Sequence, residues 1–230
     1  MLRHTALFLH RDTITPDQQT DMLKGLAYMR FECAGVRALD YGNDLFGGSA
    51  LLRTVQPWAR RPRWRDPQAG PPCNYDTALH LDFDDEAGLD AYTNDEVHRQ
   101  VASFNAGVSR GELTARVDWW YEGEALTRQG GIRHTAMFVW NDEAGEVARR
   151  RAFDAVRHLD TADGVESVAI GENIGTMTTD FDWIVDVQVS DRAAAERLLS
   201  GDQYREAMRA VAPATRFEWT ALLSHTMRGL

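Results

Sequence analysis

Cysteine is nearly missing from this chain: 230 residues carry two, Cys33 and Cys73. They match no zinc or redox spacing and are too few for a disulfide framework, so both are read as reduced and incidental. Long apolar runs are missing too. Nothing approaches the roughly 18 residues of a membrane span, and the opening MLRHTALFLHRD is charged where a secretory signal would be apolar. Positive charge is in deficit: 25 Lys and Arg against 35 Asp and Glu leave a net charge of -10, which disfavours nucleic acid and anionic membrane as partners. A soluble, cytoplasmic protein is expected. What the chain does have is core-forming residues, 43% hydrophobic with seven Trp and nine Phe, which excludes a disordered or fibrous chain. Length alone allows one large domain or two small ones.

An internal repeat decides between them. Residues 2 to 10 read LRHTALFLH and residues 132 to 140 read IRHTAMFVW. Further matches keep chain order: YGNDL at 41 to 45 resembles IGENI at 170 to 174, and YDTALH at 75 to 80 resembles FDWIVD at 181 to 186. The offset between copies falls between the second and third match, which locates an insertion in the first copy, at 46-74. A polar, glycine-bearing linker near Leu126 to Gly131 separates the copies. The expected domains are 1-126, a first repeat carrying the insertion, and 131-230, a second.

Each copy has one grammar. In the first, an apolar strand over His4 to His10 is followed by Thr15, a good N-cap, and Pro16, which opens a helix whose Met22, Leu23, Leu26 and Met29 recur at helical spacing. Strands follow at 36 to 42 and 76 to 83, then one helix over 86 to 106 and a strand over 113 to 121. The second copy reads strand 132 to 140, helix 143 to 159, strands 165 to 171 and 181 to 189, helix 191 to 210 and strand 216 to 226. The order βαββαβ is the ferredoxin-like split βαβ unit. Such a sheet has helices on one face only, and two copies can cover each other's bare faces. The expected class is therefore α+β: two tandem ferredoxin-like repeats forming a pseudo-dimeric barrel within one chain, either monomeric or a weak homodimer.

The opening strand with its histidine, the Gly-Asn after the second strand, and the stretch YDTALHLDFDDEAGLDAYTNDEVH resemble the stress-responsive dimeric A/B barrel (Dabb) family across both copies. That family includes heat-stable oligomeric proteins and the plant polyketide cyclase olivetolic acid cyclase. The resemblance implies a catalytic pair at Tyr92 and His98, whose separation matches the cyclase's tyrosine and histidine, with His4 matching its opening-strand histidine. Asp95-Glu96 stand where the cyclase has His-Pro, so the local loop is more acidic. The second copy has Leu198 and Tyr204 at the paired positions, which makes the first half the active one and the second a scaffold.

The chemistry of these residue types fits a cofactor-independent cyclase acting on a hydrophobic, oxygenated, polyketide-like substrate, free or carrier-bound. Neutral imidazole is a suitable base near pH 7 for a C–H proton between carbonyls, assigning that role to His98. A phenol such as Tyr92 can stabilise the charged oxygen that develops. His4 shares a strand face with Ala6 and Phe8 and would polarise a carbonyl. Ala6, Phe8, Met22, Leu23, Leu26 and Leu113 would enclose the substrate. This chemistry needs no metal or organic cofactor, and no metal-binding spacing occurs. Two other readings stay open: a non-catalytic stress or small-molecule-binding barrel, with Tyr92 and His98 serving packing and solvent, and a cofactor-free monooxygenase. His10 and His80 read as rim or surface residues. Trp119 and Tyr121 share one face of a strand and Trp120 takes the other, with both faces expected to be buried. The insertion, with Arg53, Arg60, Arg61, Arg63, Arg65, Trp58 and Trp64, reads as a wrapping loop stiffened by proline, the alternative being an anion-holding lid.

Overall fold

The computed structural model describes residues 1–46, 74–123, 126–175 and 181–230. The insertion's arginines and tryptophans, and Cys73, lie outside the described residues. Strand β1 (Leu2–Phe8) leads to helix α1 (Pro16–Glu32), then β2 (Ala38–Asn43) and β3 (Thr77–Phe83). Helices α2 (Glu86–Asn94) and α3 (Glu96–Val108) precede β4 (Ala115–Trp120). The pattern recurs as β5 (Gln129–Phe138), α4 (Glu146–Arg157), β6 (Val165–Glu172), β7 (Trp183–Val189), α5 (Arg192–Ser200), α6 (Asp202–Val211) and β8 (Ala221–Arg228). Two four-stranded antiparallel sheets result, ordered β2-β3-β1-β4 and β6-β7-β5-β8. Among the described residues, no helix is long and apolar enough to cross a membrane.

Local chemistry sets the helix starts. Thr15 caps α1 in a capping box with Gln18. Where one helix was expected over 86 to 106, and another over 191 to 210, the chain breaks. Asp95 takes an extended backbone between α2 and α3, and its carboxylate accepts from Val97 N at 2.8 Å; Gly201 interrupts α5 and α6 in the same way.

The sheets close on each other through backbone hydrogen bonds at two equivalent seams. Leu45 N donates to Ser224 O at 2.8 Å, and Ile174 N to Asp118 O at 2.8 Å. Leu39 and Leu230 exchange both bonds, at 3.1 and 2.8 Å. Glycine is required at each seam. A Cβ on Gly42 would lie 2.8 Å from the His225 ring, and one on Gly171 would lie 2.3 Å from Trp119.

Alternation along β1 sorts the side chains into two layers. Leu7 faces the barrel interior with Val117, Trp119, Met137, Ile184 and Leu223, a cluster drawn from both halves. Leu2, Ala6 and Phe8 face α1 with Met22, Leu26 and Met29. The interior is partly ionic: Arg3 donates to Asp82 at 2.7 Å and to Asp186 at 2.8 Å, while Arg133 bonds Asp40 at 2.8 Å and also Asp186. His80, expected at the surface, is fully buried there and stacks on His225 at 5.4 Å. The polar charge network gives it a place that a strand-face reading from sequence does not anticipate. Trp119 is buried and Tyr121 donates to Asp82 at 2.8 Å, but Trp120, expected to be buried, is 44% exposed because it lies at the end of β4. Cys33 is a buried free thiol at the end of α1, pushed up to about 11 by burial and by Asp95.

Candidate active site

A cavity of about 210 Å³ lies between the first sheet and its helices. His4, Ala6 and Phe8 from β1, Leu26 and Met29 from α1, and Tyr92 and His98 on either side of the Asp95 break all line it. Ala102 and Ala106 of α3 also line it and are solvent-exposed.

The helix break brings the sequence-matched pair together. Tyr92 lies in the last turn of α2 and His98 in the first turn of α3, with ring centroids 4.2 Å apart. His98 Nδ1 lies 3.2 Å from Thr93 O; a carbonyl only accepts, so Nδ1 carries the proton and Nε2 keeps its lone pair. Burial lowers the His98 pKa below that of free imidazole, and the nearby His4 and Arg116 act in the same direction against the Thr93 bond and Asp95. Burial raises the Tyr92 pKa far above the usual phenol range, so Tyr92 is a neutral donor. Its hydroxyl donates to Met29 Sδ at 3.8 Å, a weak acceptor readily exchanged for a ligand oxygen.

His4 comes from the other side, its ring centroid 6.0 Å from that of Tyr92. Its Nδ1 is 2.6 Å from Asp118 Oδ1, the residue directly opposite on β4. The carboxylate fixes the ring and leaves Nε2 as the second nitrogen. Arg116, Asn105, Ser109 and Thr114 add to the polar lining; burial lowers the Arg116 pKa from its ordinary value.

The second half has the same skeleton and keeps the histidine, but most of the other polar groups are exchanged. The strand opposite His134 offers Ser224 instead of Asp118, and the partner of Ala136 is Leu222, where Ala6 faces Arg116. By the same offset, Leu198 replaces Tyr92, Tyr204 replaces His98 and Val211 replaces Asn105. His134 is bonded at both nitrogens, to Ser224 Oγ and Tyr204 Oη, each at 2.8 Å. Trp183 stacks on Phe138 and Trp140 at 4.3 and 5.0 Å, at positions that in the first half are Thr77, Phe8 and His10.

Of the expected lining, Ala6, Phe8 and Leu26 reach the cavity, and Met22, Leu23 and Leu113 are placed elsewhere. Met22 is buried in the core beneath α1, Leu23 faces an outer groove with Tyr28 and Tyr41, and Leu113 packs against the barrel-interior cluster. Helical spacing puts Leu23 near Leu26 without fixing which side of α1 meets the sheet. Sequence reasoning missed Asp118, Arg116 and Asn105. A position-by-position comparison of the two repeats contained the signal, since each is replaced in the second copy. Among the described residues, no group of three or more His, Cys, Asp or Glu is placed to hold a metal ion.

No family model matches the chain, and no curated protein matches it in sequence. Solved structures do share its fold. An anthrone oxidase-like protein superposes with a TM-score of 0.67 at 10% identity, covering 100% of this chain and 92% of that one. A candidate monooxygenase from Fusobacterium nucleatum subsp. nucleatum gives 0.58 at 10% identity, over 98% and 91%. A Dabb family protein with a ferredoxin-like fold, from Mesorhizobium loti, gives 0.37 at 21% identity, spanning 43% of this chain and 97% of its own. The chain's own topology, two four-stranded sheets each threaded in the ferredoxin-like order, makes it a tandem α+β protein.

Proposed function

We propose that the protein is a cofactor-independent acid–base enzyme that cyclises a small, hydrophobic, polyketide-like substrate, with residues 1–126 forming the active half and 131–230 the scaffold. One observation carries this reading: Tyr92, His98 and His4 converge on a single cavity, and in the second repeat the histidine is kept while Leu198, Tyr204, Ser224, Leu222 and Val211 stand in place of Tyr92, His98, Asp118, Arg116 and Asn105. His98 Nε2 removes a C–H proton α to a carbonyl. The enolate carbon attacks the carbonyl carbon that closes a six-membered ring, and the alkoxide takes the proton back from His98 and becomes a hydroxyl. That hydroxyl leaves as one water together with a neighbouring ring C–H hydrogen, after which enolisation completes the aromatic ring. Tyr92 and Arg116 donate to the oxygens on which charge develops, and the Asp118-held His4 orients the attacked carbonyl. A 150 Å³ apolar cavity accommodates benzene, so about 210 Å³ suits a single ring with short substituents.

The whole-length likeness to proteins described as monooxygenase and anthrone oxidase-like favours a second reading, in which the same deprotonation prepares a substrate for reaction with oxygen. Heptane-2,4,6-trione separates the two. Cyclisation yields 5-methylresorcinol and one water, at equal rates with and without oxygen. Consumption of oxygen with loss of turnover under nitrogen would favour the monooxygenase, and binding without turnover a carrier role.

A further inference from the structure

We propose that Asn105 is the specificity residue of this cavity and accepts a hydrogen bond from a phenolic or enolic hydroxyl of the ligand. Asn105 is only 4% exposed and belongs to the cavity wall. Its side-chain oxygen has no hydrogen-bond partner. The hydroxyl of nearby Ser109 does not serve it, being donated to the Asn105 backbone carbonyl at 2.6 Å. A buried acceptor without a donor is costly and calls for an explanation. The fold does not demand this one, because Val211 occupies the equivalent position of the second repeat and is fully buried.

The remaining polar groups give the missing donor its chemistry. Tyr92 and Arg116 offer N–H and O–H groups, which call for ligand oxygens. Asn105 adds an unpaired acceptor to that of His98 Nε2, and an acceptor calls for a ligand O–H. A ligand presenting both kinds of group on a single ring or short chain is a phenol or the enol of a 1,3-dicarbonyl. A saturated hydrocarbon or a fully etherified ring leaves the Asn105 oxygen unpaired.

The inference rests on the cavity being the ligand site, as proposed above, and a binding measurement separates the two claims. Calorimetric titration of the full chain uses 4-ethylphenol, 4-ethylanisole, which lacks the donor, and ethylbenzene, which lacks both groups. Ethylphenol is expected to bind about 10-fold or more tightly than ethylanisole. In Asn105→Val that preference disappears, ethylbenzene binds at least as well as before, and the unliganded variant melts at or above the wild-type temperature. Equal wild-type affinity for the phenol and its ether overturns the inference while leaving the cavity reading in place. Survival of the phenol preference in Asn105→Val assigns the hydroxyl to another group and overturns it as well. Failure of all three to bind removes both claims.

Discussion

At His98 two contacts set the chemistry. The Thr93 carbonyl fixes the tautomer at 3.2 Å, and burial keeps the ring neutral. A base with a lowered pKa stays deprotonated to lower pH, so the acidic limb of the kcat/KM profile for the trione should fall below the roughly 6.5 of free imidazole. His98→Ala should cut turnover by about 10²-fold or more with the fold retained; unchanged turnover in a folded variant would remove His98 from the role of base. His134 illustrates the opposite use of the same residue. Burial pushes its pKa down to about 4, and both nitrogens are engaged. Between about 6.5 and 4 the unfolded chain binds a proton there and the folded chain does not, so stability falls as the pH drops through that window. The loss is on the order of 3 kcal/mol, and buried His80, also held low, adds to it. Urea unfolding at pH 7 and pH 4.5 should register the difference, and His134→Gln should flatten it. Tyr92 and His98 were legible in the sequence because their spacing is local. The partner of His4 was not, since Asp118 lies 114 residues away and becomes a neighbour only through strand register.

Helix α3 forms one wall of the cavity. It presents small, solvent-exposed Ala102 and Ala106 and buried Asn105 between them. Ligand entry past these small side chains predicts that Ala106→Phe weakens 4-ethylphenol binding. As an exposed helix substitution it should shift stability by no more than about 0.5 kcal/mol. Titration together with a thermal melt checks both halves of that expectation, and a variant that binds normally would put the entrance elsewhere. The start of α3 is just as consequential, because Asp95 caps it and reaches Ala34 N at 3.3 Å. Asp95→Ala should lower the urea midpoint and the turnover together, whereas Asp95→Asn, also a good cap, should stay close to wild type. The sequence revealed the strands, the order of elements and the Thr15 cap. It did not reveal the break at Asp95, because the apolar spacing of α2 and α3 runs through it and a capping aspartate inside such a pattern looks like an exposed helical one. The order βαββαβ was legible because alternation and helical periodicity are local properties. Which side of α1 covers the sheet, and hence where Leu23 goes, depends on packing between elements.

Across the whole molecule, the repeated Arg-His-Thr-Ala motif acquires a meaning its letters alone do not carry. Each arginine enters the barrel interior and each histidine the helix layer, so one tetrapeptide supplies both the junction between the halves and the site. Arg3 and Arg133 are both buried and share Oδ2 of Asp186, while Asp82 and Asp40 hold their other nitrogens. Burial by itself would raise the Asp40 carboxyl, but His225 and Arg133 outweigh it and hold it well below the usual carboxylate range. Asp186 belongs to the second half and Arg3 to the first, so removing that carboxylate leaves two buried guanidinium groups undercompensated across the junction. Asp186→Ala should cost about 3–5 kcal/mol, the loss expected when one partner of a buried ion pair is deleted. The loss should appear in a single transition, because neither sheet keeps its inner face covered once the other unfolds. Urea unfolding followed by tryptophan fluorescence and far-UV circular dichroism should give coincident curves for wild type and variant, displaced by that amount. Two separated transitions in the wild type would mean that each half covers its inner face unaided, and the second repeat would then lose its role as the scaffold on which the first depends.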